Sequence, residues 1–443
     1  MSDFEDLDAI VIGASTRGLI ATYVLSMLGY KAVLLEKSPF VGGADGSFRL
    51  TDGTWFDFGM HVLDEMRAPA ATRLFRHIVG QNVNRLKLRR AIVMRNHVMP
   101  YAPEPEAMPE EIRELVKPGP LFDDIGDALP TRELVAAYYG AGYADLIYDE
   151  VLPSYPTEHR HRSFGVDEAE LLVNLYPWFF PRAQRTPKHG DISREFHDRL
   201  RAGIDQHILY PRDGGFGAFA QSFLTHYAAD RIEVITGADD IEIAVSSTGQ
   251  RIEHVSASGR RFRANHYFWT SGWPDLCGLL GMECQDPATD RIVLGSFRLD
   301  RPANTEYHEI LVGDPRHPIN RVSLPGAFRG SDAPLLQVEF AFPLADDRNL
   351  EPKFWKDLWL ASLRELGVLM PDHRVALYDF KTRPLHFNGY GMEGERLVDA
   401  DVSLLDPDSN VHPVVPSMSN MNLNAHVPLD IQYVTNVLTR QSR

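Results

Sequence analysis

Apolar positions fall into short runs near the N-terminus, into broken proline-rich clusters in the middle, and into alternating stretches after residue 290. Ala9–Gly13 reads Ala-Ile-Val-Ile-Gly, the continuous apolar run of a buried parallel strand. Leu19–Leu28 has helical capacity and is ended by Gly29, and Lys31–Glu36 forms a second buried strand. The three together predict a compact βαβ unit. Residues 67–205 mix helical stretches with prolines and aromatics, as in Tyr176-Pro177-Trp178-Phe179-Phe180-Pro181, and predict a helical, loop-rich insertion. Gly214-Gly215-Phe216-Gly217 is a turn leading into a helix over Ala218–Tyr227. Short strands are expected at Ile232–Thr236, Ile241–Val245, Ile252–Ser256 and Tyr267–Thr270. Val293–Leu299, Glu309–Val312 and Leu335–Phe342 alternate enough to predict a second, mostly antiparallel sheet, followed by a helix at Lys353–Leu366. A last helix is expected over Leu429–Arg440, its start marked by Pro428 and Asp430.

Length and charge narrow the function classes. A chain of 443 residues exceeds one ordinary core and predicts two or three domains. A net charge of -16 opposes general binding to nucleic acid or to anionic membranes, because phosphates are repelled. An anionic substrate is still compatible, since it needs only a local cationic pocket. Cys277 and Cys284 form no CxxC pair and are read as reduced thiols. No metal centre is expected: His159-Arg160-His161-Arg162 lies in a polar stretch, with no paired-carboxylate spacing around it. An acidic N-terminus and the lack of an apolar run long enough to span a bilayer place the chain in the cytoplasm, without an integral membrane segment. The expected partners are a small-molecule substrate and, in one reading, a second copy in a homodimer.

The strongest chemistry follows the first strand. Gly13-Ala14-Ser15-Thr16-Arg17-Gly18 is a dinucleotide fingerprint with its middle glycine replaced by Ser15. Gly13 permits the tight turn and Gly18 a close helix–strand approach. The helix N-terminus offers amides and a positive dipole end to a pyrophosphate. Glu36 closes the second strand, where a carboxylate accepts ribose hydroxyls. Lys37 and a short spacer lead to Gly42-Gly43-Ala44. In FAD enzymes of the glutathione-reductase type such a glycine pair lays backbone amides along the pyrophosphate, which favours FAD over NAD. Phe56-Asp57-Phe58-Gly59-Met60-His61 follows, an apolar strand reaching a glycine and then a histidine.

This set resembles the family of protoporphyrinogen oxidases, monoamine oxidases and UDP-galactopyranose mutases. Only the first 65 residues carry it specifically. The resemblance implies an α/β fold: a Rossmann-type FAD-binding domain (1–66, 206–284 and 386–443) with a discontinuous α+β substrate domain (67–205 and 285–385) made of an antiparallel sheet plus a helical insertion. It implies that Gly59, Met60 and His61 pass by the flavin ring, with His61 the leading catalytic residue; packing as a core histidine is its alternative. Asp240 takes the position that contacts adenine through backbone. Asn424 and Val427 fall in the loop-and-helix segment facing the flavin pyrimidine. Trp178, Arg182 and Arg321 are candidate substrate contacts. The segment Pro416–Asp430 departs from the family: it lacks the usual Gly-Asp pair, the mutase arginine and any cysteine. FAD is therefore expected to be held non-covalently. The reaction implied is hydride transfer from a small organic substrate to flavin N5; a redox-neutral sugar-nucleotide mutase using reduced FAD, and a non-catalytic flavin-binding protein, are the alternatives.

Overall fold

The computed structural model describes residues 4–65, 69–117, 131–154, 206–247, 251–282, 288–387, 409–414 and 423–440. The chain divides into two compact units. The first comprises Met1–Asn84, Leu209–Pro287 and His386–Arg443; the second comprises Arg85–Ile208 and Ala288–Leu385.

The first unit is built on the N-terminal βαβ. Strand β1 (Glu5–Ile12) runs into helix α1 (Thr16–Met27) and strand β2 (Ala32–Leu35). A small hairpin follows, β3 (Ser47–Arg49) and β4 (Trp55–Asp57), then helix α2 (Pro69–Val79). Because α2 belongs to this unit, its first segment extends to Asn84, not 66. The chain re-enters with α3 (Gly217–Phe223), β5 (Ile232–Ile235), β6 (Glu242–Val245), β7 (Ile252–Ala257), β8 (Arg260–Trp269) and α4 (Trp273–Leu280). It finishes with β9 (Val411–Pro413) and α5 (Leu423–Arg440). The strand order is β5-β2-β1-β8-β7-β6, with β9 also on β8. Pairings of β5, β2, β1, β8 and β9 are parallel, and those of β6, β7 and the start of β8 antiparallel. Strand β8 serves both: Arg260–Phe262 pairs with β7, and Tyr267–Trp269 with β9. The centre of the parallel sheet, Ala9–Ile12 of β1 and Ala32–Leu35 of β2, is apolar and buried, as burial on both faces requires.

The expected start of the last helix is corrected by six residues. Helix α5 begins at Leu423, so Pro428 lies inside it and not in its first turn. No described helix is long and apolar enough to cross a membrane.

The second unit holds a seven-stranded sheet in the order Val375–Phe387, Ala288–Leu299, Leu335–Pro343, Arg321–Ser323, Glu309–Val312, Arg90–Met94, His97–Pro100. The last two strands lie in segment 67–205, for which a helical, loop-rich insertion is expected; the difference is that this segment also contributes strands to the sheet. Their hairpin turns on Arg95 and Asn96, both at positive φ (47° and 65°), the pattern of a two-residue turn that matches strand twist. One sheet face packs Val293, Phe297 and Phe340 with Trp355 and Trp359 of the helix Pro352–Glu365. The other packs Ile92, Met94 and Leu311 with Tyr143, Ile147 and Val151 of the helical segment 131–154.

Candidate functional site

The fingerprint turn is held by close approaches that only glycine allows. A Cβ on Gly18 would sit 1.9 Å from the Gly13 carbonyl oxygen, so α1 docks on the end of β1 at backbone distance. Gly13 has φ of 99°, and its carbonyl accepts from Thr270 Oγ1 at 2.6 Å. Ser15 is the N-cap of α1; its Oγ accepts from the Gly18 N–H at 3.5 Å. The serine in place of a second glycine is thereby accounted for, and its hydroxyl proton stays available to an anion.

Glu36 spans the turn. Its Oε2 accepts from the Ala14 N–H at 2.6 Å and its Oε1 from the Ser38 N–H at 2.7 Å. Lys37 points to solvent. The Gly42-Gly43 turn meets the fingerprint directly: the Gly42 N–H donates to the Ala14 carbonyl at 2.7 Å, and Ser15 and Gly42 form a parallel bridge. A Cβ on Gly43 would lie 3.3 Å from Ser15 Cβ, and Gly43 and Ala44 are exposed. Two glycine turns thus meet as a backbone-lined cradle at the N-terminus of α1, which fits a dinucleotide pyrophosphate.

Gly59 and Met60 are buried, and His61 is half-buried beside the cradle. His61 Nδ1 donates to the Gly59 carbonyl at 2.8 Å, so in the neutral ring Nε2 is the acceptor; it lies 3.5 Å from Asp45 Oδ1. Asp45 in turn accepts from Thr16 Oγ1 at 2.5 Å. The His61 ring lies 6.0 Å from that of Phe216.

Several functional neighbours escaped the sequence reading. Asp57 is buried and accepts from Tyr210 OH (2.5 Å), Ser47 Oγ (2.5 Å) and the Phe216 N–H (2.8 Å). It ties the β3–β4 hairpin to the Gly214–Gly217 turn. Arg17, in the first turn of α1, is buried and donates to Asp430 Oδ1 at 2.8 Å, while His426 Nδ1 donates to Asp430 Oδ2 at 2.8 Å. Burial pushes the Arg17 guanidinium below its usual range, and Asp430 and Asp45 oppose that shift. The signal in the sequence is a charged residue at a non-glycine position of the fingerprint.

Other candidates lie elsewhere. The Asp240 carboxylate is exposed and accepts from the Ser258 N–H at 2.9 Å, which holds its pKa down. Just before it, the Gly237 and Ala238 N–H groups donate to the carbonyls of Ser38 (2.8 Å) and Glu36 (3.1 Å), beyond the end of β2. Val427 is buried in α5, and Asn424 lies in its first turn. Arg321 is committed to carboxylates in the second unit: Glu339 Oε2 at 2.6 Å and Glu309 Oε1 at 3.4 Å. Arg90 bonds the other oxygen of Glu309. Trp178 and Arg182 lie outside the described residues, as does His159–Arg162.

Comparison with known proteins follows the same division. Residues 11–78 match the model of an NAD(P)-binding Rossmann-like domain. Prolycopene isomerase 2 of an Oncidium hybrid cultivar is 40% identical over 63 residues, 14% of this chain and 11% of that protein. The all-trans-retinol 13,14-reductase of Danio rerio is 37% identical over 62 residues, 14% of this chain and 10% of that protein. The chain thus matches about a tenth of the length of these curated relatives. Solved structures match throughout. Reduced UDP-galactopyranose mutase aligns with a TM-score of 0.69 at 13% identity, over 99% of this chain and 95% of that one. A putative protoporphyrinogen oxidase from Exiguobacterium sp. 255-15 aligns with a TM-score of 0.70 at 14% identity, over 99% and 100%. The chain shares the fold of these solved structures along nearly its whole length. In that fold the fingerprint, Glu36 and the glycine pair belong to one Rossmann-like unit.

Proposed function

We propose that this chain is an FAD-dependent oxidoreductase that moves a hydride from a small organic substrate to flavin N5, with FAD held non-covalently. The observation that carries the reading is the meeting of the two glycine turns at the N-terminus of α1, with Glu36 braced beside them. When bound, FAD supplies the two-electron chemistry; the protein supplies binding, orientation and exclusion of water. The amides of the fingerprint turn and the Ser15 hydroxyl receive the pyrophosphate. Glu36 keeps acceptor capacity on both oxygens for ribose hydroxyls. His61, aimed by the Gly59 carbonyl and faced by Asp45, holds or accepts a proton at Nε2.

The test is FAD content. The purified protein is expected to carry or take up FAD, seen as flavin absorbance, and Gly18→Val and Gly13→Val are expected to abolish retention by blocking the backbone approach. A wild-type protein that takes up no FAD overturns the reading.

A redox-neutral isomerase is the second reading, favoured by the likeness to a mutase and to an isomerase. Turnover that requires dithionite-reduced protein and consumes no electron acceptor selects it over the first.

A further inference from the structure

We propose that Arg17, Asp430 and His426 are positioning residues for the flavin: a buried anchor that sets the first turns of α5 against the fingerprint turn. This rests on FAD occupying the cradle proposed above.

Arg17 sits where a helix least favours a cation. It lies in the first turn of α1, at the positive end of the dipole, and is buried. Both effects oppose its charge. Asp430, itself buried, offsets them through a 2.8 Å ion pair, and Asp430 is fixed in turn by His426 one turn earlier on the same helix. An apolar trio would pack these helices at least as well, since buried ion pairs add little net stability over well-packed hydrophobes. What directional bonds add is register: one rotation and one depth of α5 on α1.

The fold has a local need for that. Pro428 lies inside α5 and has no N–H to donate to the Asn424 carbonyl, so the helix is weakest between its first and second turns. The His426–Asp430 bond spans this proline, and Arg17 ties the brace to the fingerprint itself. Residues 423–426 are thereby held at a set place relative to Gly13–Gly18. On the Asp45 side, Thr16 and His61 complete the surround.

The experiment uses the double variant Arg17→Met/Asp430→Leu, which removes both members of the ion pair together. It is expected to melt close to the wild type without FAD, yet to bind FAD tenfold or more weakly in a fluorescence titration and with a displaced midpoint potential. Should it fail to fold, the isosteric Asp430→Asn asks the same question and is expected to weaken FAD binding tenfold. A folded double variant, or Asp430→Asn, with wild-type FAD affinity and potential overturns the anchor while leaving the FAD reading intact. A wild-type chain that binds no FAD overturns both.

Discussion

Ser15 and His61 illustrate how single residues divide between architecture and chemistry. A serine in a fingerprint glycine position looks like a damaged site, but it is the N-cap of α1, and a Cβ on Gly43 would lie only 3.4 Å from its Cα. His61 was read with two meanings, ring-side residue or core histidine. It is half-buried, its Nδ1 is fixed by a backbone carbonyl, and its Nε2 faces Asp45. A ring oriented in this way is suited to act on a bound molecule. His61→Ala is therefore expected to retain FAD and to lower turnover by about tenfold or more, the scale of a misplaced reacting group. FAD affinity and steady-state rates measured together check this, and unchanged turnover returns His61 to a packing role. Arg17 was not legible. Nothing in a one-dimensional pattern distinguishes an exposed arginine in a helix start from one buried against a carboxylate 413 residues away.

Elements were legible where periodicity and burial agree, as in β1, α1 and β2. They were not where a polar residue is essential to an apolar strand. Asp57 sits within what reads as an apolar strand reaching Gly59; in the fold it ends β4, accepts from Tyr210 OH, Ser47 Oγ and the Phe216 N–H, and joins the hairpin to the turn before α3. The strands Arg90–Met94 and His97–Pro100 were hidden by their charges and proline, and the register that reveals them is set by the distant Glu309–Val312. Pro428 misled for a related reason: proline marks a helix start more often than it sits within one. The Asp57 hub gives an element-scale prediction. Asp57→Ala leaves Tyr210 OH, Ser47 Oγ and the Phe216 N–H without their buried acceptor. At about 1 kcal/mol or more for each group, the loss is about 3 kcal/mol or more. Urea unfolding is expected to show that drop, with β3–β4 and the 214–217 turn losing amide-exchange protection first. A loss below about 1 kcal/mol refutes the hub.

At the scale of the whole molecule, each unit carries a half-buried histidine whose pKa burial lowers, and this predicts an acid sensitivity of the fold. In the first unit, burial and then the neighbouring His266 push His412 down to about 3. The two rings share a 3.0 Å hydrogen bond between β8 and β9, and burial lowers His266 as well. In the second unit, burial and then Arg89 push His308 down to about 4. An unfolded histidine titrates near 6.5. Each folded value lies below that, so between about 6.5 and the folded value the unfolded chain binds more protons than the native one. Stability is then full above about 6.5 and is lost as pH falls, by about one proton's linkage for each histidine. Two other effects work in different windows. The net charge of -16 falls on acidification, which relaxes self-repulsion and favours the fold. Glu309 and Asp314 have folded values below the ordinary carboxylate range, so their contribution is lost only at still lower pH. A loss of stability between pH 6.5 and 5 therefore belongs to the histidines. Urea midpoints at pH 7, 6 and 5 are expected to fall for the wild type and to fall less for His308→Gln/His412→Gln. Parallel slopes in the two proteins would assign the acid sensitivity elsewhere.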